Sequence, residues 1–301
     1  MRVTDQQQSF VPHTLARGEG LLERLRTIFA DTYRVEEELK GGGMSRLFRA
    51  TDLALNRLVV IKILPPELTS DVLAARFKRE TEVTARLKHQ NILPILDSGL
   101  RDDLMFYVMP FVAGESLRER LHREIHLPVR EAISILSDVA SALSSAHKQG
   151  IIHRDVKPEN ILLQGWNVYL ADFGIAAAFV LPGETPATRL TRTGMSMGTV
   201  GYMAPEQSLG ERDADHRADI YALAVVAYEM LAGMPPFTGA TTQAIIAANL
   251  IQPPPRLDLL RAETPGPICK AVAKALEKNP AKRFQDAAEL VACCAPFLTR
   301  S

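Results

Sequence analysis

The stretch His153-Arg154-Asp155-Val156-Lys157-Pro158-Glu159-Asn160 constrains this chain more than any other part of it. It is a dense run of charged and polar side chains. Gly150-Ile151-Ile152 precedes it and Ile161-Leu162-Leu163 comes after it. Apolar, β-branched flanks favour strands, and Pro158 keeps a helix from running through the middle. The polar run is therefore predicted to be a loop between two buried segments. Twelve residues after Asn160, a second apolar segment ends in Asp172-Phe173-Gly174. A hairpin of that length brings Asp155, Asn160 and Asp172 into one pocket. Oxygen ligands from an Asp and an Asn, with a second carboxylate near by as a base, suit Mg²⁺ and phosphate chemistry. A single aspartate would mean little, because solvated turns are full of them. The combination carries the weight.

Upstream, residues 33–39 and 47–51 have strand character and flank Gly41, Gly42 and Gly43. Glycines in such a turn let the backbone approach a phosphate with no Cβ in the way. Taken alone, this is weak, since glycine turns join ordinary hairpins. Residues 58–64 form an apolar, β-branched run that ends before Pro65-Pro66 and contains Lys62. That lysine is either a side chain snorkelling to an edge or a cation awaiting an anion. Residues 71–87 have helical periodicity, and Glu80 shares a stripe with Phe77, Thr84 and Leu87. A carboxylate on a face turned toward a sheet needs a partner, so Lys62 and Glu80 explain each other if the helix packs on the strand. Residues 92–95 and 105–109 complete a β-rich first part.

The remainder is predicted to be mainly helical, over 116–123, 129–149, 217–231, 241–250, 267–277 and 286–297. Short strands are expected near Ile151, Ile161 and Val168. The apolar run 220–231, interrupted by Glu229, is shorter than the roughly 18 residues of a membrane span and suits a buried helix. Gln6, Gln7 and Gln8 stand where a secretory signal would need apolar residues. A net charge of zero gives no basic excess for nucleic acid. Cys269, Cys293 and Cys294 form neither a disulfide framework nor a zinc spacing, which fits a reducing compartment. A cytoplasmic location is therefore expected for this chain, although a parent protein could be membrane-anchored beyond Ser301. In a leader over 1–32, Leu21, Leu22, Leu25, Ile28 and Phe29 fall on one face of a short helix that packs on the adjoining domain.

Taken in order, these motifs resemble the signature set of the eukaryotic-type (Hanks-type) serine/threonine protein kinases, particularly bacterial members, over about residues 33–298. The resemblance implies an α+β, two-lobed protein kinase fold. A small β-rich N-lobe with one main helix and the hinge would span 33–112, and a larger, mainly helical C-lobe 113–298. It implies transfer of the γ-phosphoryl group of ATP, with Mg²⁺ or alternatively Mn²⁺, to Ser and Thr hydroxyls of protein substrates. Lys62 resembles the strand lysine that holds the α- and β-phosphates and pairs with Glu80. Asp155 resembles the catalytic base, and Lys157 the lysine that offsets charge on the moving phosphoryl group. Asn160 and Asp172 resemble the metal ligands.

The same resemblance places Leu39, Leu47 and Val60 against the nucleotide with the glycine turn. It puts Met109 in the gatekeeper position, with Pro110 and Val112 offering the hinge carbonyl and N–H. Asp219 resembles the brace of the catalytic loop, and Arg283 the partner of Glu206. Lys157 and Thr199 point to hydroxyls of Ser and Thr rather than Tyr. Thr191 and Thr193, in a loop with Arg189 and Arg192, are expected to be autophosphorylated, Thr193 meeting Arg154. That would involve a second copy of the chain if the reaction runs between molecules. The chain departs from the family pattern at Lys40 and Ser45, where glycines usually stand, and at Leu47 and Val60, which add volume to the nucleotide ceiling. These departures bear on ATP affinity. The alternative is a pseudokinase scaffold with the same fold, whose mark would be loss of Lys62, Asp155, Asn160 or Asp172; all four are present.

Overall fold

Side chains alternate across a strand, and that alternation sorts the first part of this chain onto two faces of one sheet. The computed structural model describes residues 19–39, 45–65, 71–173, 200–211 and 214–298. Its first elements are α1 (Glu19–Ile28), β1 (Tyr33–Leu39), β2 (Arg46–Asp52), β3 (Arg57–Ile63), α2 (Asp71–Thr84), β4 (Asp97–Arg101) and β5 (Leu104–Pro110). The strands are antiparallel in the order β1-β2-β3-β5-β4. On one face, Phe48, Ala50, Val59, Ile61, Ile63, Phe106 and Val108 pack with Leu25 of α1 and with Phe29 just after it. The Phe29 ring meets Phe106 edge-on at 4.8 Å. The opposite face carries Val60, Met105, Tyr107 and Met109, covered by Leu73 and Phe77 of α2. Strand register sets Leu39 beside Leu47, Leu47 beside Lys62 and Lys62 beside Tyr107, one row across the sheet.

Two expectations change here. Residues 92–95 do not form a strand. Ile92 makes a single bridge to Leu170, and the Leu93 N–H donates to the Leu170 carbonyl at 2.9 Å. These buried residues tie the sheet region to the second half of the chain. The fourth strand falls instead on Asp97–Arg101, whose Asp-Ser-Gly-Leu-Arg sequence has little apolar alternation and forms an edge. Nor is there a strand at Ile151. Its N–H closes the end of a helix by bonding to the Ala146 carbonyl at 3.1 Å.

The second half begins with β6 (Glu115–Ser116) and α3 (Leu117–Glu124), then α4 (Val129–His147), β7 (Ile161–Gln164) and β8 (Asn167–Leu170). The strands β6, β7 and β8 form a second, small sheet in that order. Helices α5 (Pro205–Ser208), α6 (Arg217–Ala232), α7 (Thr242–Ile251), α8 (Leu257–Leu260), α9 (Gly266–Ala275) and α10 (Ala287–Cys294) complete it. Ser116 and Glu119 form a capping box on α3, and Asp286 and Glu289 do the same for α10. Every residue of α6 from Ala218 to Leu231 is buried. Surrounded by other helices, α6 has no need of a polar face. It stops at Gly233, whose φ of 82° is left-handed and where an added Cβ would lie 2.9 Å from Ile125 Cγ2. Among the described residues, no helix is long and apolar enough to cross a membrane.

Candidate active site

A buried carboxylate holds the polar loop in place. Asp219, in the first turn of α6, is 1% exposed. It accepts the N–H groups of His153 (2.8 Å) and Arg154 (2.7 Å), and His147 Nε2 donates to it at 2.9 Å. This clamp supports Arg154 in the left-handed region at φ 67°, a conformation a side chain adopts at a cost. Burial pushes the Asp219 pKa up, but the His147 hydrogen bond, the nearby imidazole charges and the His153 N–H outweigh it and hold it below 3.8. A carboxylate whose pKa falls on folding adds stability that is fully present above its unfolded value and lost as pH drops through the folded one. Urea titrations from pH 7 to pH 3 should therefore show Asp219→Asn trailing the parent chain at neutral pH, with the gap closing below about pH 4. A gap that stays constant over this range would contradict the account. His153 is fully buried; its Nε2 lies 2.8 Å from the Ala171 carbonyl, and its ring packs on Phe173 at 4.6 Å.

The loop then turns back through a short 3₁₀ segment, Pro158–Asn160. The Asn160 amide donates to the Asp155 carbonyl (2.8 Å) and to Asp155 Oδ2 (3.1 Å), and Lys157 Nζ lies 2.8 Å from the same oxygen. The Ala171 N–H donates to the Asn160 carbonyl at 2.9 Å, which ties the residue before Asp172 to the loop. Asp172 sits at φ 66°. Lys62 Nζ donates to its Oδ2 and the Tyr107 hydroxyl to its Oδ1, each at 2.5 Å. Burial raises the Asp172 pKa, but the Lys62 ammonium and the two donors prevail and hold it below the usual carboxylate range. Burial, with the Asp172 charge behind it, pushes the Tyr107 hydroxyl well above its ordinary value, so it remains a donor. The Asn160 amide nitrogen is engaged with Asp155, and its Oδ1 is the acceptor oxygen of that side chain. With the Asp172 carboxylate this makes a hard-oxygen pair that fits Mg²⁺.

The expected Lys62–Glu80 ion pair is not formed. The buried stripe of α2 runs through Leu73, Phe77, Thr81 and Thr84, and Glu80 lies half-buried beside it. Glu80 makes no ion pair among the described residues, and Asp172 takes the Lys62 ammonium instead. The helix is thus rotated by its apolar and threonine side chains, not by the carboxylate.

Above this polar group lies an apolar cluster. Val60 and Met109 belong to it, and Leu39, Leu47 and Val112 pack against it. Ala171 also belongs to it, and Phe111 and Leu162 pack against it; the sequence marks none of the three as a site residue. Their signal was present: Ala171 adjoins Asp172, and Leu162 lies two positions beyond Asn160 on β7. Pro110 ends β5. The Val112 carbonyl accepts from Gly114 at 2.9 Å, while its N–H makes no hydrogen bond among the described residues. Gly114 must be glycine, because a Cβ there would fall 1.9 Å from the Leu163 carbonyl oxygen. The segment after β5 thereby lies directly on β7. Gly41, Gly42 and Gly43, and likewise Thr191 and Thr193, lie outside the described residues.

Two further ion clusters, one buried and one partly buried, lie in the second half of the chain. Arg283, fully buried, makes a two-pronged bond to Glu206 at 2.6 and 2.8 Å and also donates to the carbonyls of Glu277, Lys278 and Arg217. Arg118 of α3 reaches Glu159 at 2.9 Å, Glu229 at 2.7 Å and the Tyr202 hydroxyl, which in turn bonds to Glu229. No local pattern pointed to Arg118, since nothing along the chain links α3 to α6.

A lysine–aspartate contact and a braced polar loop thus lie beside an apolar cluster where the two parts of the chain meet. Residues 33–294 match the family model described as protein kinase domain, and the chain belongs to that family. It is 39% identical over 272 residues to the serine/threonine-protein kinase PknD of Mycobacterium tuberculosis, covering 89% of this chain and 40% of PknD. It is 40% identical over 260 residues to the serine/threonine-protein kinase pkn3 of Myxococcus xanthus, covering 83% of this chain and 47% of that protein. The crystal structure of a point mutant of the M. tuberculosis PknI kinase domain superposes with a TM-score of 0.71 at 31% identity, covering 89% of this chain and 96% of that one. The chain is a protein kinase domain of the bacterial serine/threonine type, and it spans less than half the length of these two curated relatives.

Proposed function

We propose that this chain transfers the γ-phosphoryl group of ATP to serine and threonine hydroxyls of protein substrates. The observation that supports this most is the set of contacts joining Lys62 to Asp172, and Asn160 and Lys157 to Asp155, at the edge of the apolar hinge cluster. Phosphoryl transfer passes through a loose transition state, so positioning and charge do most of the work. Lys62 would hold the α- and β-phosphates, with Glu80 as its partner once α2 turns inward. Asp155 would accept or orient the proton of the attacking hydroxyl, and Lys157 would offset charge on the phosphoryl group. Asn160 and Asp172 would hold Mg²⁺, or Mn²⁺ in its place, which supplies charge neutralisation at the phosphate oxygens when bound. Leu39, Leu47, Val60, Met109, Pro110 and Val112 would enclose the adenine, and Gly41, Gly42 and Gly43 would cover the phosphates.

In this reading, 1–32 is a leader, 33–112 the small lobe with hinge and 113–298 the large lobe. Thr191 and Thr193 are autophosphorylated, between two copies if the reaction is intermolecular, and exposed Arg154 grips the product phosphate. The chain acts in the cytoplasm, any membrane anchor of a parent protein lying beyond Ser301. Labelled phosphate from [γ-³²P]ATP should appear on the chain and on a generic basic protein. Phosphopeptide mass spectrometry should find it on Thr191 or Thr193 in the parent chain but not in Asp155→Asn. No labelled protein at all would favour a scaffold that only binds; label without phosphate on either threonine would end the autophosphorylation assignment.

A further inference from the structure

Tyr107, the residue across the sheet from Lys62, has no part in the transfer steps assigned to the site. It is the one side chain of β5 that can donate a hydrogen bond, in the sequence Leu-Met-Phe-Tyr-Val-Met-Pro, and it is 1% exposed. Its ring is well accounted for by packing. It lies 6.4 Å from the Phe77 ring, centroid to centroid, and 5.6 Å beneath Lys62 Nζ. A phenylalanine would fill that space equally well. The hydroxyl is what packing does not explain, since a buried hydroxyl needs a partner. Its partner is Asp172 Oδ1.

We infer that Tyr107 is a positioning residue for the metal ligand: its hydroxyl, carried on a central strand of the small lobe, fixes the carboxylate of Asp172 in the orientation that receives the cation. This rests on the proposal that Asp172 is a metal ligand. Two features single out the Tyr107 bond. Tyr107 takes Oδ1 of the Asp172 carboxylate and Lys62 takes Oδ2, so the two hold different oxygens. Lys62, the other holder of Asp172, is the group that must reach toward phosphate in the same reaction. When Lys62 turns to the nucleotide, Tyr107 is what remains on Asp172. Tyr107 also sits between two sheet neighbours, paired with Lys62 on one side and Ser98 on the other, so the sheet fixes its backbone. Partners that orient a ligating carboxylate typically govern metal affinity by 10- to 100-fold.

The test uses the full 301-residue chain carrying Asp155→Asn, so that nucleotide is not turned over. A fluorescent ATP analogue (methylanthraniloyl-ATP) is bound, first in EDTA and then with increasing Mg²⁺. Tyr107→Phe keeps the ring and removes only the hydroxyl. Its half-saturating Mg²⁺ should rise roughly 10-fold or more, while binding in EDTA stays the same. In the Asp155 parent background, Tyr107→Phe should lose activity at low Mg²⁺ and recover it at high Mg²⁺, which a packing defect would not produce. An unchanged or lower Mg²⁺ requirement in Tyr107→Phe, with the metal response abolished by Asp172→Asn, overturns the role of Tyr107 and leaves the site assignment standing. Equal weakening with and without metal also overturns it, as the mark of a packing role. A metal response that survives Asp172→Asn overturns the site assignment and this inference together.

Discussion

Replacing Lys62 by Met, or Asp172 by Ala, should reduce phosphoryl transfer by about 10³-fold or more while the chain stays folded. The two side chains form the 2.5 Å contact that joins β3 to the segment after β8. In a reaction driven by positioning and electrostatics, each stands where charge must be met, and removing one preorganised group typically costs 10²- to 10³-fold or more. Stability should change far less. Both side chains are largely but not wholly buried, at 17% and 15% exposure, so the partner left behind retains some access to water. Initial rates with [γ-³²P]ATP and a basic protein substrate, alongside thermal unfolding, separate the two effects. Near-normal transfer in either variant would contradict the assignment.

The largest effect on stability is expected at Arg283. Replacing it by Leu leaves Glu206, 5% exposed, without its two-pronged partner and frees three backbone carbonyls that it now satisfies. An uncompensated buried charge costs about 3–5 kcal/mol, and for a domain of this size that lowers Tm by on the order of 10 °C. The double variant Arg283→Leu with Glu206→Leu should recover much of the loss, because desolvating the pair offsets much of its attraction. A double variant no more stable than Arg283→Leu would show that the carbonyl bonds, not the ion pair, carry the effect. Glu206 lies in the first turn of α5, downstream of Thr191 and Thr193 along the chain, so a drop in peptide phosphorylation ahead of the drop in stability is also expected.

The polar loop was legible in the sequence because strand, proline and hairpin spacing all act locally. His153 through Asn160 form a loop in which Asn160 and Lys157 meet Asp155, and Ala171, the residue before Asp172, is tied to it by a backbone hydrogen bond. The apolar runs that become β3 and β5 were equally readable; the resemblance singled out Val60 and Met109, and both lie in one cluster. What stayed hidden was rotation about a helix axis and contact across long separations. Glu80 was expected to face the sheet, but Thr81 and Thr84 occupy the buried stripe and turn the carboxylate aside. Small polar residues can fill a buried helical face when their hydroxyls find backbone partners, as Thr81 does with the carbonyls of Phe77 and Lys78 and Thr84 with that of Phe173. Tyr107 was overlooked for a different reason. A tyrosine in an apolar strand reads as core, and only the register with Lys62 shows where its hydroxyl goes. Arg118 was out of reach, since its partners lie 41 to 111 positions away along the chain.

The family match begins at residue 33, but the small lobe extends further toward the N-terminus. Leu25 and Phe29 are both fully enclosed, and they roof the strands that carry Phe106 and Val108. Arg24 is bonded to Asp102, and Arg101 lies over the Phe29 ring, so the helix is pinned at the β4–β5 turn as well as by its apolar side. Trimming a recombinant fragment to the family boundary would strip this roof and present a wet, greasy sheet to other molecules. In this kinase domain the packed unit of the small lobe starts before the family boundary.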